Sequence, residues 1–138
     1  MPSLLSGTSS PTRILVADDD AVILRLLQVN FGLEGFEVET ASRGEDALVK
    51  ARQFVPDIIL LDVMMPGVDG WEVCRRLKED HATASIPVIF LSARAQDQDR
   101  KRGFELGVVA YVTKPFDPGE LVDVVRRALG QDEAPASQ

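Results

Sequence analysis

Asp18, Asp19 and Asp20 close the apolar run "ILVA", Asp62 closes "IILL", Ser92 closes "VIFL", and Thr113 with Lys114 closes "YV". Carboxylates, a hydroxyl and an ammonium at the ends of successive apolar runs are a set suited to phosphoryl chemistry. Carboxylates hold a hard divalent cation, the ammonium and hydroxyl bind phosphoryl oxygens, and a carboxylate can attack phosphorus to make an aspartyl phosphate. Three carboxylates brought together cannot all stay ionised unaided. At about 5 Å and an effective dielectric of about 20, each like-charge pair costs about 3 kcal/mol. Either one of them holds a proton or a cation sits among them. An all-oxygen donor set without His or Cys selects a hard ion, and a few carboxylates with open positions suit Mg²⁺ that keeps several waters.

These residues meet only if the strands that carry them are parallel and adjacent. From Ile14 the chain alternates short apolar runs with longer segments of helical period, the pattern of repeated βαβ units. The strands are expected at "RILVA" (13–17), "FEVET" (36–40), "DIILLD" (57–62), "PVIFLS" (87–92) and "AYVTK" (110–114). The first, third and fourth are apolar throughout, as strands covered on both faces should be, whereas "FEVET" alternates like a sheet edge. Right-handed crossovers then leave the order 2-1-3-4-5: an α/β fold with a single doubly wound five-stranded parallel sheet, flavodoxin-like.

Helices are expected between the strands. The first, 21–33, carries Ile23, Leu26, Leu27 and Phe31 but also Val22, Leu24 and Val29, so part of its apolar surface is left for a partner. The second opens with Ser42 and Glu45 at capping-box spacing and buries Ala47, Leu48, Ala51 and Phe54. The third, 70–80, rests on Val73, Cys74 and Leu77. The fifth, 118–129, rests on Leu121, Val124, Val125 and Ala128 and stops at Gly130. The fourth, 97–106, offers Phe104 and Leu106 to a core and little else; its "DQDRKR" reads as a solvated face, and a helix anchored so weakly shifts at low cost.

All strands of a parallel sheet end at one edge, where Asp62 has the aspartates of strand 1 on one side and Ser92 on the other. Lys114 starts two strands away, about 10 Å, which a long side chain leaning inward closes.

At 138 residues the chain has the size of one domain, and a formal charge of −7 argues against a direct grip on nucleic acid. A single cysteine, Cys74, excludes a disulfide framework and reads as helix packing. The opening "MPSLLSGTSSPTR" lacks the form of a signal peptide, and no stretch is long and apolar enough for a membrane span. The expected organisation is a tail at 1–12, the folded unit at 13–130, and a polar tail or linker start at 131–138, with a cytoplasmic location. His81, the one histidine, lies in polar "EDHATAS" and reads as a loop residue.

Taken together, "ILVADDD", "LLDVMMPGVDG", "VIFLSARA" and "YVTKPF" resemble the receiver domain of bacterial two-component response regulators, from Arg13 to Leu129. The resemblance implies a role for each position. Asp62 matches the phosphoacceptor, Asp18 and Asp19 the acidic pair serving Mg²⁺, and Met64 the residue whose backbone carbonyl is a metal ligand. Ser92 matches the switch hydroxyl, Lys114 the phosphate-binding lysine, and Tyr111 the aromatic that turns inward once the hydroxyl moves toward phosphate. A cis Lys114–Pro115 bond is also implied. The phosphodonor would be a sensor histidine kinase or phosphotransfer protein, and the face of helix 4, strand 5 and helix 5 would change its preference for a partner. Met64 and Arg94 stand where the family tunes phosphate lifetime. "GVVAY" puts Val109 and Ala110 where regulators with winged-helix output carry acids in a charged dimer face.

Two other functions remain open. A haloacid-dehalogenase-like phosphatase would use Asp18 and Asp20 of an Asp-x-Asp-x-Thr signature, but Val22 stands in place of the Thr. A receiver-like module that binds partners without being phosphorylated would need none of the chemical residues.

Overall fold

The computed structural model describes residues 10–131; the expected N-terminal tail up to 9 and the polar tail from 132 lie outside the described residues. Five strands alternate with five helices: β1 (Arg13–Ala17), α1 (Ala21–Leu33), β2 (Glu37–Ala41), α2 (Gly44–Phe54), β3 (Ile58–Asp62), α3 (Gly70–Glu79), β4 (Val88–Ser92), α4 (Asp97–Glu105), β5 (Ala110–Thr113) and α5 (Pro118–Ala128). All neighbouring strands are parallel, and their order is β2-β1-β3-β4-β5. β3 and β4 are buried at every position while β2 leaves Glu37 exposed, which is the contrast between central and edge strands that their composition implied.

Successive strand residues point to opposite faces, so each strand feeds two cores. Leu15, Ala17, Ile59, Leu61 and Phe90 pack with Ala47 and Ala51 of α2 and with Trp71, Val73, Cys74 and Leu77 of α3. On the other face Ile14, Val16, Ile58, Leu60, Ile89 and Leu91 meet Leu27 and Phe31 of α1 and Leu121, Val122 and Val125 of α5. The register pairs Ala17 with Leu61, Asp62 with Leu91, and Ser92 with Thr113, which brings the strand ends to one edge.

Some local expectations change. β2 lies one residue later than "FEVET", and Lys114 falls just past the end of β5. Ser42 does not cap α2: the N-cap position is Arg43, with no side-chain cap hydrogen bond, and Glu45 pairs sideways with Arg43 at 3.7 Å. Close packing sets this helix start instead, since a Cβ on Gly44 would stand 1.9 Å from the Val68 carbonyl oxygen. α1 buries Leu27 and Phe31 and leaves Val22, Leu26, Val29 and Leu33 exposed. α4 buries neither of its expected anchors fully. Phe104 is 50% exposed and Leu106 only partly packed, and the residues that α4 does bury are Asp99 and Gly103. The reading of "DQDRKR" as a wholly solvated face is therefore corrected at Asp99.

Candidate functional site

Asp18 follows β1 and is fully buried. Its Oδ1 accepts the Asp20 amide at 2.9 Å and its Oδ2 accepts the Lys114 ammonium at 2.7 Å. Asp19 is exposed at the rim. Asp20 turns away from both to cap α1, accepting the amides of Val22 and Ile23. The Asp18 and Asp20 pairing needed by a haloacid-dehalogenase-like phosphatase is thus not formed, because one of the two carboxylates is spent on a helix start.

Asp62 ends β3 and is 4% exposed. Its Oδ1 accepts the Met64 amide at 3.2 Å, and its Oδ2 stands 3.4 Å from Lys114 Nζ. The turn after it is held tightly: the Gly70 amide donates to the Val63 carbonyl at 2.8 Å, and a Cβ on Gly70 would lie 2.2 Å from the Asp62 carbonyl oxygen. Only a glycine lets α3 begin so close to the backbone of Asp62. Met64 is exposed beside the pocket.

Asp18, Asp19 and Asp62 each offer a carboxylate oxygen, and these oxygens lie within 4.8 Å of one another. Burial pushes the Asp62 carboxyl up to about 6, with the Asp18 charge adding to the effect and Lys114 opposing it. Burial alone would depress the Lys114 ammonium. The hydrogen bond to Asp18 and the charge of Asp62 outweigh it, leaving Lys114 above its ordinary value. In this arrangement the lysine is the counter-ion of the carboxylates, closer to Asp18 than to Asp62. An oxygen-only donor set carrying excess negative charge fits a hard divalent cation.

Ser92 ends β4, is fully buried, and accepts the Arg94 amide on its Oγ at 3.0 Å. The Lys114 amide donates to the Ser92 carbonyl at 2.9 Å, and the Lys114–Pro115 bond is cis. Tyr111 is 7% exposed with its ring turned inward, and its hydroxyl donates to the Arg94 carbonyl at 2.8 Å. Burial raises the phenol above its ordinary value.

Residues that sequence reasoning did not single out complete this side. Asp99 is buried, accepts two bonds from the Arg94 guanidinium at 3.0 and 3.1 Å, and accepts the Gln96 amide at 3.3 Å. Arg100 lies over the Tyr111 ring, 5.4 Å from its centroid. Nothing in "DQDRKR" marks one acid as buried, because which side of a helix faces a sheet is not written in a polar run. Cys74 is buried against the Leu106 carbonyl with its thiol pushed up to about 11 by burial, and His81 lies in an exposed turn.

Residues 14–126 match the family model described as the response regulator receiver domain. The chain is 45% identical over 117 residues to the DNA-binding dual master transcriptional regulator RpaA of Synechocystis sp., covering 85% of this chain and 48% of that protein. A putative response regulator from Chloroflexus aurantiacus superposes with a TM-score of 0.82 at 35% identity, over 87% of this chain and 98% of that one. A chain of the CheX-CheY-BeF3-Mg+2 complex from Borrelia burgdorferi matches with a TM-score of 0.81 at 29% identity, over 86% of this chain and 89% of that one. The chain spans about half the length of the curated relatives it matches. Among the described residues no helix is long and apolar enough to cross a membrane. Since the family match runs from β1 into α5 and the sheet order and acidic pocket agree with it, the chain belongs to the response regulator receiver domains, signalling modules rather than turnover enzymes.

Proposed function

We propose that the unit from 13 to 130 accepts a phosphoryl group on Asp62 from the phosphohistidine of a sensor histidine kinase or phosphotransfer protein in the cytoplasm. The observation that carries this reading is the placement of a buried carboxylate with an oxygen within 4.8 Å of two others and 3.4 Å from an ammonium. An oxygen of Asp62 attacks phosphorus as the phosphorus–nitrogen bond of the donor breaks, and the imidazole leaves with the electron pair. Lys114, hydrogen-bonded to Asp18, turns its charge toward the incoming phosphoryl oxygens, and the Ser92 hydroxyl donates to one of them.

Asp18, Asp19 and Asp62, with the Met64 backbone carbonyl, would hold Mg²⁺. Bound there, it supplies charge neutralisation for the phosphoryl oxygens. The donor's contact surface is α1, where Val22, Leu26, Val29 and Leu33 recur at spacings of four, three and four and form an exposed stripe starting beside Asp20. The response is read on α4, β5 and α5, where Phe104 on α4 and Val109 just before β5 are half exposed. RpaA is a DNA-binding regulator by its description, whereas the charge of −7 here argues against DNA contact by this domain.

The test is labelling by a small phosphodonor with and without Mg²⁺. The expected outcome is one hydroxylamine-sensitive phosphate per chain, lost on chelation and lost in Asp62→Asn. Labelling of that variant to the wild-type level would sink the assignment.

A further inference from the structure

Tyr111 is the only tyrosine in the chain, and its ring packs edge-on against Phe90 with centroids 6.0 Å apart. On the α4 side the ring meets a glycine. A Cβ built on Gly103 would lie 3.0 Å from Tyr111 Cδ2 and 3.1 Å from Phe90 Cδ2, inside ordinary carbon contact. Phe90 has little room to give, because it is fully buried and also packs edge-on against Trp71, 5.2 Å between centroids. Tyr111 stands on the edge strand, so it is the ring that would yield. Glycine is a poor helix residue, and α4 has few apolar anchors to compensate for one.

We propose that Gly103 is the positioning residue for Tyr111: its missing side chain leaves the seat that the inward ring fills, and the seated ring holds the β4–α4 loop in register with the pocket. The connection is a chain of hydrogen bonds. The Tyr111 hydroxyl donates to the Arg94 carbonyl, and the Arg94 amide donates to Ser92 Oγ. Closing the seat therefore loosens the loop that orients the Ser92 hydroxyl. This inference rests on the phosphoacceptor reading for its link to ligand at Asp62, but the position of the ring stands independently of it.

Protein made with 3-fluorotyrosine carries one fluorine reporter, at Tyr111. Without ligand, Gly103→Ala is expected to move that resonance to a solvent-exposed position, with a larger solvent isotope shift. Beryllofluoride binding in the presence of Mg²⁺ should weaken on the order of tenfold, the effect of overpacking by one methyl. In a Tyr111→Ala background the same Gly103→Ala change should alter beryllofluoride affinity by less than about twofold, because there is no ring left to seat.

An unmoved resonance with unchanged affinity overturns the seat, and so does a loss of affinity equally large without the ring, which would place the effect in the helix itself. If Gly103→Ala does not fold, recovery in the Tyr111→Ala background supports the seat and failure in both overturns it. Absence of an Asp62-dependent beryllofluoride response in the wild type would instead remove the phosphoacceptor reading, while the fluorine resonance would still decide where the ring sits.

Discussion

α3 and α4 follow the two strands that end in Asp62 and Ser92, yet they are attached to the sheet by different forces. α3 buries Trp71, Val73, Cys74 and Leu77, side chains of which each large one contributes about 1.5–3 kcal/mol on burial. α4 buries an aspartate and a glycine and leaves Phe104 half exposed. α4 is fastened by polar and aromatic contacts: the Arg94 and Asp99 ion pair, the Arg100 bond to the Tyr111 carbonyl, Arg102 over the Trp71 ring at 4.2 Å, and the Tyr111 ring resting against Gly103. Apolar burial is non-directional and changes little when a charge arrives nearby, whereas an ion pair and a seated ring have a small number of alternative poses. The helix after the Asp62 strand is thus anchored by apolar packing, and the helix after the Ser92 strand by a few directional contacts.

The contrast breaks most visibly at Trp71. Trp71→Ala should destabilise the domain by about 3–5 kcal/mol in denaturant titration, since it empties the space between α3 and Phe90. A loss below about 1 kcal/mol would mean that α3 is no more firmly anchored than α4.

Next in size is Asp62→Asn. The Asp62 carboxyl is raised from 3.8 to about 6 by burial, with Asp18 reinforcing, so the folded state binds a proton more tightly than the unfolded state does. That linkage favours folding below pH 3.8 and is lost as pH rises through about 6, leaving an ionised carboxylate that opposes folding at neutral pH. With chelator present, the Asn variant should exceed wild type by up to about 3 kcal/mol at pH 7. The gain should shrink to near zero below pH 4. A gain independent of pH would show that the charge is not its origin.

A smaller effect is expected at the fastening of α4. Asp99→Ala should cost about 1–2 kcal/mol and should speed amide hydrogen exchange across α4 while leaving the amides of α3 unchanged. Equal acceleration in both helices would erase the distinction between them.

The least effect belongs to Phe104→Ser, at about 0.5 kcal/mol or less, because the ring is half exposed already. A loss comparable to that of Trp71→Ala would place Phe104 in the core, where the apolar pattern of α4 alone would put it.

Sheet order, strand limits to within a residue, and the gathering of Asp18, Asp19, Asp62, Ser92 and Lys114 at one edge were legible in the sequence. The reason is physical: a parallel sheet brings every strand end to the same edge, so the residue that closes each apolar run has its place assigned by its position along the chain. The stop at Gly130, whose φ is +74°, was legible for a similar reason, since it is set by local backbone geometry.

Other features were decided only by the tertiary structure. Close packing of Gly44 on Val68 set the start of α2, against the Ser42 and Glu45 capping pattern. Lys114 makes its shorter contact with Asp18, 96 positions away, at 2.7 Å against 3.4 Å to Asp62, a choice that the strand-end rule does not specify. For α4 the rotation of the helix about its own axis had no apolar stripe to announce it. Burial of Asp99, exposure of Phe104 and the seat at Gly103 follow from how that short polar helix lies against β4 and β5, a choice made by side-chain contacts across the fold and not by any local run of residues.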